Sequence, residues 1–527
     1  MQKIQEVPVE IVGSSKFGIW PKINAERTYN MFISDNWLIN FAGWKQIQSS
    51  NDGAEGRGLF VSIRGNFMLE VIDDKVYQLN EGGGSIFVGT LDTRVGEVFM
   101  DENLAAQICI VDGNDAWIYN YEDLSFTKQS LDVGYDVIPG YVVYHNSFFL
   151  ISPSVNDPIN TYNWFAFQYD SPTTISLVPF SIFPLQTKPD NCLAIQRLPG
   201  KGNNVLVLGS TVCEVFTQVG GEENYRRNSS FNIDSGCVSI STIASDTEFV
   251  CFLAKNEKSS PYILYTDGAQ TNIISTDGID KFLDSIQYPE QSTAFFFRQD
   301  GHLFYILTFY NEADNVTLSY DFNTGMFFHL TDDAFNYHPA RKTAFFDNKT
   351  YFIGLDLGSL FEMSTDIDGA YYSFDNYAGN TIPRIRITNT IRIANSQPFF
   401  ANNLTFWVEQ GNITKSDLEW GEPDCEEDMI TEVVGYRMLT ELTSDVMVTQ
   451  NGYCTLNLDW PGIDLSFSKT GNVSYSNVTR NLLNAQGDYR NRMRWFRLGF
   501  CNEITFKLQF WGLNRFVCYN GFLETGV

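Results

Sequence analysis

The side chains that most often do chemistry are sparse in this chain. Histidine occurs four times, as His145, His302, His329 and His338, with no H-x-x-x-H or H-E-x-x-H spacing between any two. The local pattern that sets two imidazoles around a metal is therefore missing. Nine cysteines are scattered with no C-x-x-C pair. That count and spacing predict buried free thiols in a reducing cytoplasm, rather than a zinc site or a disulfide framework. Neither a G-x-S-x-G elbow nor a P-loop occurs. Gly82-Gly83-Gly84 reads as a loop between strands, because no helix follows it to cradle a phosphate. No catalytic residue, metal or cofactor is nominated. What remains is charge, concentrated in two runs.

The first run lies within Leu465 to Trp511 and reads as a hairpin, a polar loop and two strands. Strand entry at Ser466 to Ser468 leads to a turn over Lys469 to Asn472 and an exit through Val473, Tyr475 and Val478. A loop with Gly487 and Asp488 follows. Tyr489 to Phe500 then sets Arg490, Arg492, Arg494 and Arg497 among Met493, Trp495, Phe496 and Leu498. Side chains alternate across a strand, so Arg492 and Arg494 share one face while Met493 and Trp495 share the buried one. Phe496 and Arg497 break the alternation, as a bulge or an interface would. The simplest account is a half-buried strand with a solvated basic face. The second run is an acidic insertion over 414–447. Asp417, Glu419, Glu422, Asp424, Glu426, Glu427, Asp428 and Glu432 follow one another there with no Lys or Arg between them. It lacks the D-x-D-x-D-G calcium pattern and reads as a solvated loop or a partner-docking arm.

The setting gives the basic strand its interest. Sixty-three acidic residues against 35 basic ones leave a formal charge of −28. Such a balance argues against a protein that grips nucleic acid, where cations must replace counterions at phosphates, and against adhesion to an anionic membrane. It still allows DNA to slide past without sticking. The N-terminus has no signal-peptide shape, and no apolar run reaches the length of a membrane span.

These residues need elements to position them. With 43 Phe, 26 Tyr and 40 Gly in 527 residues, and few helix-favouring runs, the composition predicts an all-β chain of many short strands. Residues 1 to about 30 read as an extended arm, followed by a short strand on either side of Gly43. From Gly58 to Met363 an apolar hairpin followed by an aromatic-rich strand recurs at roughly 40 to 55 residues, the scale of propeller blades. Seven such units can be read, or six, and the strand around Trp44 is placed to complete the last. A string of separate sandwiches is the alternative. Thr276 can cap one helix, with Ile279, Phe282, Leu283 and Ile286 on its inner face. Beyond Tyr371 the repeat ends. Arg384 to Ile393 alternates strictly and pairs naturally with Leu404 to Glu409, while 446–457 and 515–523 add strands. A C-terminal β-sandwich platform is expected, giving 1–50 as arm and closing strand, 51–370 as propeller and 371–527 as sandwich.

The order of these pieces carries a resemblance. RTYNMF (Arg27 to Phe32) comes first, then INFAGW (Ile39 to Trp44) and GRGLFV (Gly56 to Val61). VLVLGSTVCEVF (Val205 to Phe216), SSFNIDSGCVS (Ser229 to Ser239) and IDKFLDSI (Ile279 to Ile286) follow, and GDYRNRMRWFRLGF (Gly487 to Phe500) closes the series. This series resembles the tail-hub, or nozzle, proteins of short-tailed bacteriophages, also called packaged-DNA stabilisation proteins. The closing Arg/Trp strand and the G-S-T-x-x-E-V-F blade are its most specific parts, and the acidic insertion departs from the pattern. The resemblance implies a non-enzymatic virion protein, made in the host bacterial cytoplasm. It would form a homohexameric ring below the portal and adaptor proteins. That ring would close the filled head, hold tail fibres, spikes or a needle, and conduct packaged double-stranded DNA during ejection. Arg490, Arg492, Arg494, Trp495 and Arg497 then become candidates for the seam with a neighbouring subunit or the adaptor.

Two other classes compete. A receptor-binding propeller would carry an exposed aromatic patch. A sialidase-like glycosidase is suggested by SKTGNVSYS (Ser468 to Ser476), which partly matches an S-x-D-x-G-x-x-W turn, although Thr470 replaces the Asp and Tyr475 the Trp. Paired carboxylates for such chemistry are not nominated by any local motif.

Overall fold

The computed structural model describes residues 4–18, 26–47, 54–134, 136–220, 223–356, 358–364, 372–373, 380–393, 397–410, 462–471, 473–482, 490–511 and 516–526. Seven antiparallel sheets follow one another, over residues 56–90, 99–129, 139–184, 192–233, 236–273, 292–330 and 340–364. Each is a blade of a β-propeller, blades 1 to 7 in that order. Strands such as Gln107–Val111 and His302–Phe309 are buried along their whole length, because both faces of a blade are covered by its neighbours. Alternation then divides each strand between two cores. In blade 2, Ile108 and Ile110 pack toward blade 1 with Phe67, Leu69 and Val71. Their neighbours Cys109 and Val111 pack toward blade 3 with Phe149, Phe165 and Phe167. The same arrangement repeats around the ring, and a smaller core of Met68, Leu79, Phe346 and Leu360 joins blade 7 to blade 1.

Closure is made by the other end of the chain. Gly43–Gln46 is the outer strand of blade 7, pairing Trp44 with Met363 and Gly43 with Ser364. Trp44 is buried there against His338 and Phe352. The strand expected around Trp44 thus does complete the last blade. The G-S-T-x-x-E-V-F segment owes its residue types to blade 4. Asp190 accepts hydrogen bonds from the Thr211 and Val212 amides at 2.7 and 3.0 Å. Buried Glu214 accepts from the Gln186 and Thr187 amides at 3.0 and 2.5 Å. The one α-helix among the described residues, Asp277–Asp284, buries Ile279 and Leu283 between blades 5 and 6. Its Thr276 is extended but makes no side-chain cap bond, so Thr276 marks the helix start without capping it.

The C-terminal strands form a two-sheet sandwich. One sheet runs Ile4–Val9, Gly521–Gly526, Phe399–Gln410, Phe516–Cys518, Trp37–Asn40, Met31–Ser34, with Arg490–Cys501 also paired to Phe399–Gln410. The other prolongs blade 6 through Arg27–Tyr29, Arg384–Ile387, Thr505–Trp511, Gly462–Ser468 and Thr479–Leu482. Leu404, Phe406, Met493 and Trp495 from the first sheet meet Ile463, Leu465, Phe506 and Leu508 from the second in one core. The stretch read as an extended arm therefore supplies Ile4–Val9 to the platform and Arg27–Tyr29 beside blade 6.

Two expected pairings are corrected. Arg384–Ile387 pairs with Thr505–Trp511 and Arg27–Tyr29, not with Phe399–Gln410, which lies in the opposite sheet. Arg384 and Arg386 on this strand are buried. Arg386 donates to the carbonyls of Ile11 (2.8 Å), Ser14 (3.0 Å) and Glu10 (3.3 Å), to Thr28 Oγ1 (3.1 Å), and to Glu26. Gly13 passes so close that a Cβ there would fall on the guanidinium. The second correction concerns the hairpin, whose return strand is Thr479–Leu482 and not the run from Val473. Ser476 intervenes, its amide donating to the Phe467 carbonyl at 2.8 Å and its Oγ accepting from the Phe467 amide at 3.1 Å, so a side chain replaces part of the ladder. The strand expected over 446–457 lies outside the described residues.

Candidate docking face

Arg490–Cys501 and Phe399–Gln410 run antiparallel in register, Glu409 opposite Arg490, Trp407 opposite Arg492, Thr405 opposite Arg494 and Asn403 opposite Phe496. Opposed residues point to the same side of a sheet. On the inner side Met493, Trp495 and Leu498 enter the platform core, and the Trp495 indole N–H donates to the Thr479 carbonyl at 3.0 Å. The outer side carries Arg492, Arg494 and Phe496, as the alternation predicts. The register then slips: two residues, Arg497 and Leu498, face one between Ala401 and Asn403. Arg497 takes a φ of +60° and Gly499 one of +86°. This is a β-bulge, one of the two causes proposed for the broken alternation. It returns Leu498 to the core and leaves Arg497 exposed.

The outer face mixes cations with aromatic rings. The Arg492 guanidinium lies 5.9 Å from the Trp407 ring centre and that of Arg494 lies 5.4 Å from Phe496. Arg494 Nε also donates to Thr405 Oγ1 at 3.1 Å. Phe496 and Phe500 are each 62% exposed, Phe400 42% and Trp407 40%. Two carboxylates on this side are held by neutral donors. Glu409 accepts from the Tyr519 hydroxyl at 2.9 Å and Glu524 from the Asn403 amide at 2.5 Å. Among the described residues no carboxylate lies within ion-pair distance of Arg492, Arg494 or Arg497, whereas Arg480 on the neighbouring strand is paired with Asp464 at 2.7 Å. Arginine and large aromatic residues are the types enriched at the centres of protein interfaces. The sequence marked the arginines and Trp495. It missed Phe400, Trp407 and Phe500; for Trp407 the signal was its place between Phe406 and Val408, which puts it on the face opposite theirs. The eight carboxylates of 417–432 lie outside the described residues.

The candidate chemistry-bearing residues are absorbed into packing. His145 contacts the Tyr225 hydroxyl at 2.8 Å, His302 the Asp321 carboxylate at 2.9 Å and His329 Ser15 Oγ at 2.8 Å. Burial pushes the imidazoles of His329 and His338 down to about 3. The seven described cysteines are free and buried. No cluster of three or more His, Cys, Asp or Glu able to hold a metal occurs among the described residues. Nor is any described helix long and apolar enough to cross a membrane.

The fold defines an all-β protein of the β-propeller class with a C-terminal sandwich. A family model described as bacteriophage P22 Gp10, beta-propeller, matches residues 23–352, and the chain belongs to this phage-stabilisation family of virion structural proteins. No curated protein matches the chain. Solved structures similar to it include a catalytically inactive virginiamycin B lyase from Staphylococcus aureus with quinupristin (10% identity, 61% of this chain and 99% of that one, TM-score 0.42). A streptogramin B lyase gives 12% identity over 63% and 99%, with TM-score 0.41. The extracellular domain of the one-component system BT4673 from B. thetaiotaomicron gives 10% identity over 62% and 40%, with TM-score 0.42.

Proposed function

We propose that this protein is a non-enzymatic tail hub of a short-tailed phage. Six copies form a ring beneath the portal and its adaptor, close the filled head, hold fibres, spikes or a needle, and pass double-stranded DNA during ejection. In this reading residues 1–50 are arm and closing strand, 51–370 the propeller and 371–527 the platform through which copies meet. The observation that carries it is the arginine–aromatic outer face on a phage structural protein: three arginines without a carboxylate partner among the described residues. Guanidinium groups bind carboxylates bidentately, and such pairs gain strength when an interface excludes water. Exposed arginines facing DNA would instead retain it, so the face belongs against protein. A carboxylate-rich channel gives phosphates no adhesive site and lets the duplex slide.

The test reverses charge at Arg492 and Arg494 together (R492E/R494E) and counts rings by negative-stain electron microscopy. Loss of rings from a folded protein is expected. Sixfold rings in normal number, with unchanged salt tolerance, would overturn the reading.

A further inference from the structure

We propose that the outer face of Arg490–Cys501 and Phe399–Gln410 is the seat for a carboxylate-bearing segment of a second copy of this chain, and that the acidic run 417–432 is that segment. The proposal rests on the ring reading above and names what the seam is made of.

Charge complementarity selects the occupant. The seat presents Arg492, Arg494 and Arg497 with no carboxylate at ion-pair distance among the described residues, and its own Glu409 and Glu524 are engaged by Tyr519 and Asn403. The run 417–432 supplies eight carboxylates and no cation. The chain that carries it, 411–461, leaves from Gln410, the last residue of the strand that pairs with the arginine strand. Arm and seat therefore originate on adjacent strands of one sheet, and each copy offers both. The aromatic rings decide against a purely electrostatic contact. Phe496 and Phe500, mostly exposed, flank the arginines, and the run brings Leu418, Trp420, Met429 and Ile430 between its carboxylates. Apolar residues interspersed among carboxylates meet rings interspersed among guanidiniums, so burial of apolar area accompanies the ion pairs and excludes the water that would otherwise screen them.

The experiment compares three full-length chains by light scattering after size exclusion at ~0.1 M salt, where a surface charge is felt over roughly 10 Å. They are the native chain, R492E/R494E, and a chain neutralised in the run (E422Q/D424N/E426Q/E427Q/D428N). Thermal melting of each checks that the fold persists. The native chain is expected as a multimer, and both variants at the 59.9 kDa of one copy with unchanged melting. A native multimer whose neutralised form stays multimeric while R492E/R494E dissociates overturns the run as occupant, and leaves the ring reading standing. A native multimer that survives both variants overturns the seat as well. A native chain that is monomeric at every concentration overturns the ring reading itself. If Arg492 in that monomer is also shielded from phenylglyoxal only while the run keeps its carboxylates, the occupant is the same chain's run.

Discussion

Single side chains set the limits of what this protein tolerates. His338 is packed between Trp44, Phe295 and Phe352, and His329 between Phe17 and Tyr29 beside Ser15. Burial keeps both neutral down to about pH 3, with Arg27 also opposing a proton on His329. The unfolded chain protonates them near the ordinary value of 6.5, so it binds more protons than the folded one between those limits. Their contribution is whole above pH 6.5 and is lost as pH falls toward 3, at about 1.4 kcal/mol per pH unit for each imidazole well inside the window. Denaturant unfolding between pH 6 and pH 4 should show this slope, and His338→Gln should reduce it. An unchanged slope in that variant would mean that other groups cause it. None of this was legible in the sequence, where the four histidines were notable only for lacking ligand spacing. The arginines divide in the same way. The alternation around Arg492 and Arg494 was read correctly, while identical alternation at Arg384 and Arg386 hides a buried cage. What distinguishes Arg386 is Glu26 and the carbonyls of residues 10–14, more than three hundred residues away in sequence.

At the scale of elements, the repeating hairpins were legible because strands buried on both faces leave unbroken apolar runs, and turns such as Asp112-Gly113 and Asp300-Gly301 punctuate them. Partner choice was less legible, since a strand's sequence states which face is apolar but not which neighbour supplies its hydrogen bonds. Arg384–Ile387 shows the difficulty. Gly43–Gln46 shows the opposite case, because closing a ring of repeats calls for a strand from outside the repeat to complete the last blade. That strand should be a weak point of the ring. Trp44→Ala removes a large buried ring from the core between blades 6 and 7 and is expected to cost about 3–5 kcal/mol. Blade 7 should become the first part to exchange its amide hydrogens. Hydrogen exchange read by mass spectrometry checks this, and uniform loss of protection over all seven blades would contradict a local closing strand.

Over the whole molecule, composition spoke plainly about class and charge and was silent about which surfaces meet. The −28 charge makes one expectation firm. The purified chain should not retard duplex DNA in a gel at ~0.1 M salt, because few counterions are released by so acidic a surface. Retardation at micromolar protein would show a concealed cationic track. The family match over residues 23–352 leaves the arginine–aromatic face outside it, so any role of that face must be argued from its own residues. Finally, the first described strand, Ile4–Val9, pairs with the last, Gly521–Gly526, which in turn pairs with Phe399–Gln410. On the ribosome, that opening strand waits without a partner until residue 526 has emerged, and the sheet bearing the arginine face stays unfinished for as long. The seven blades, by contrast, draw their strands from residues 43–364 and can collapse before that sheet is complete.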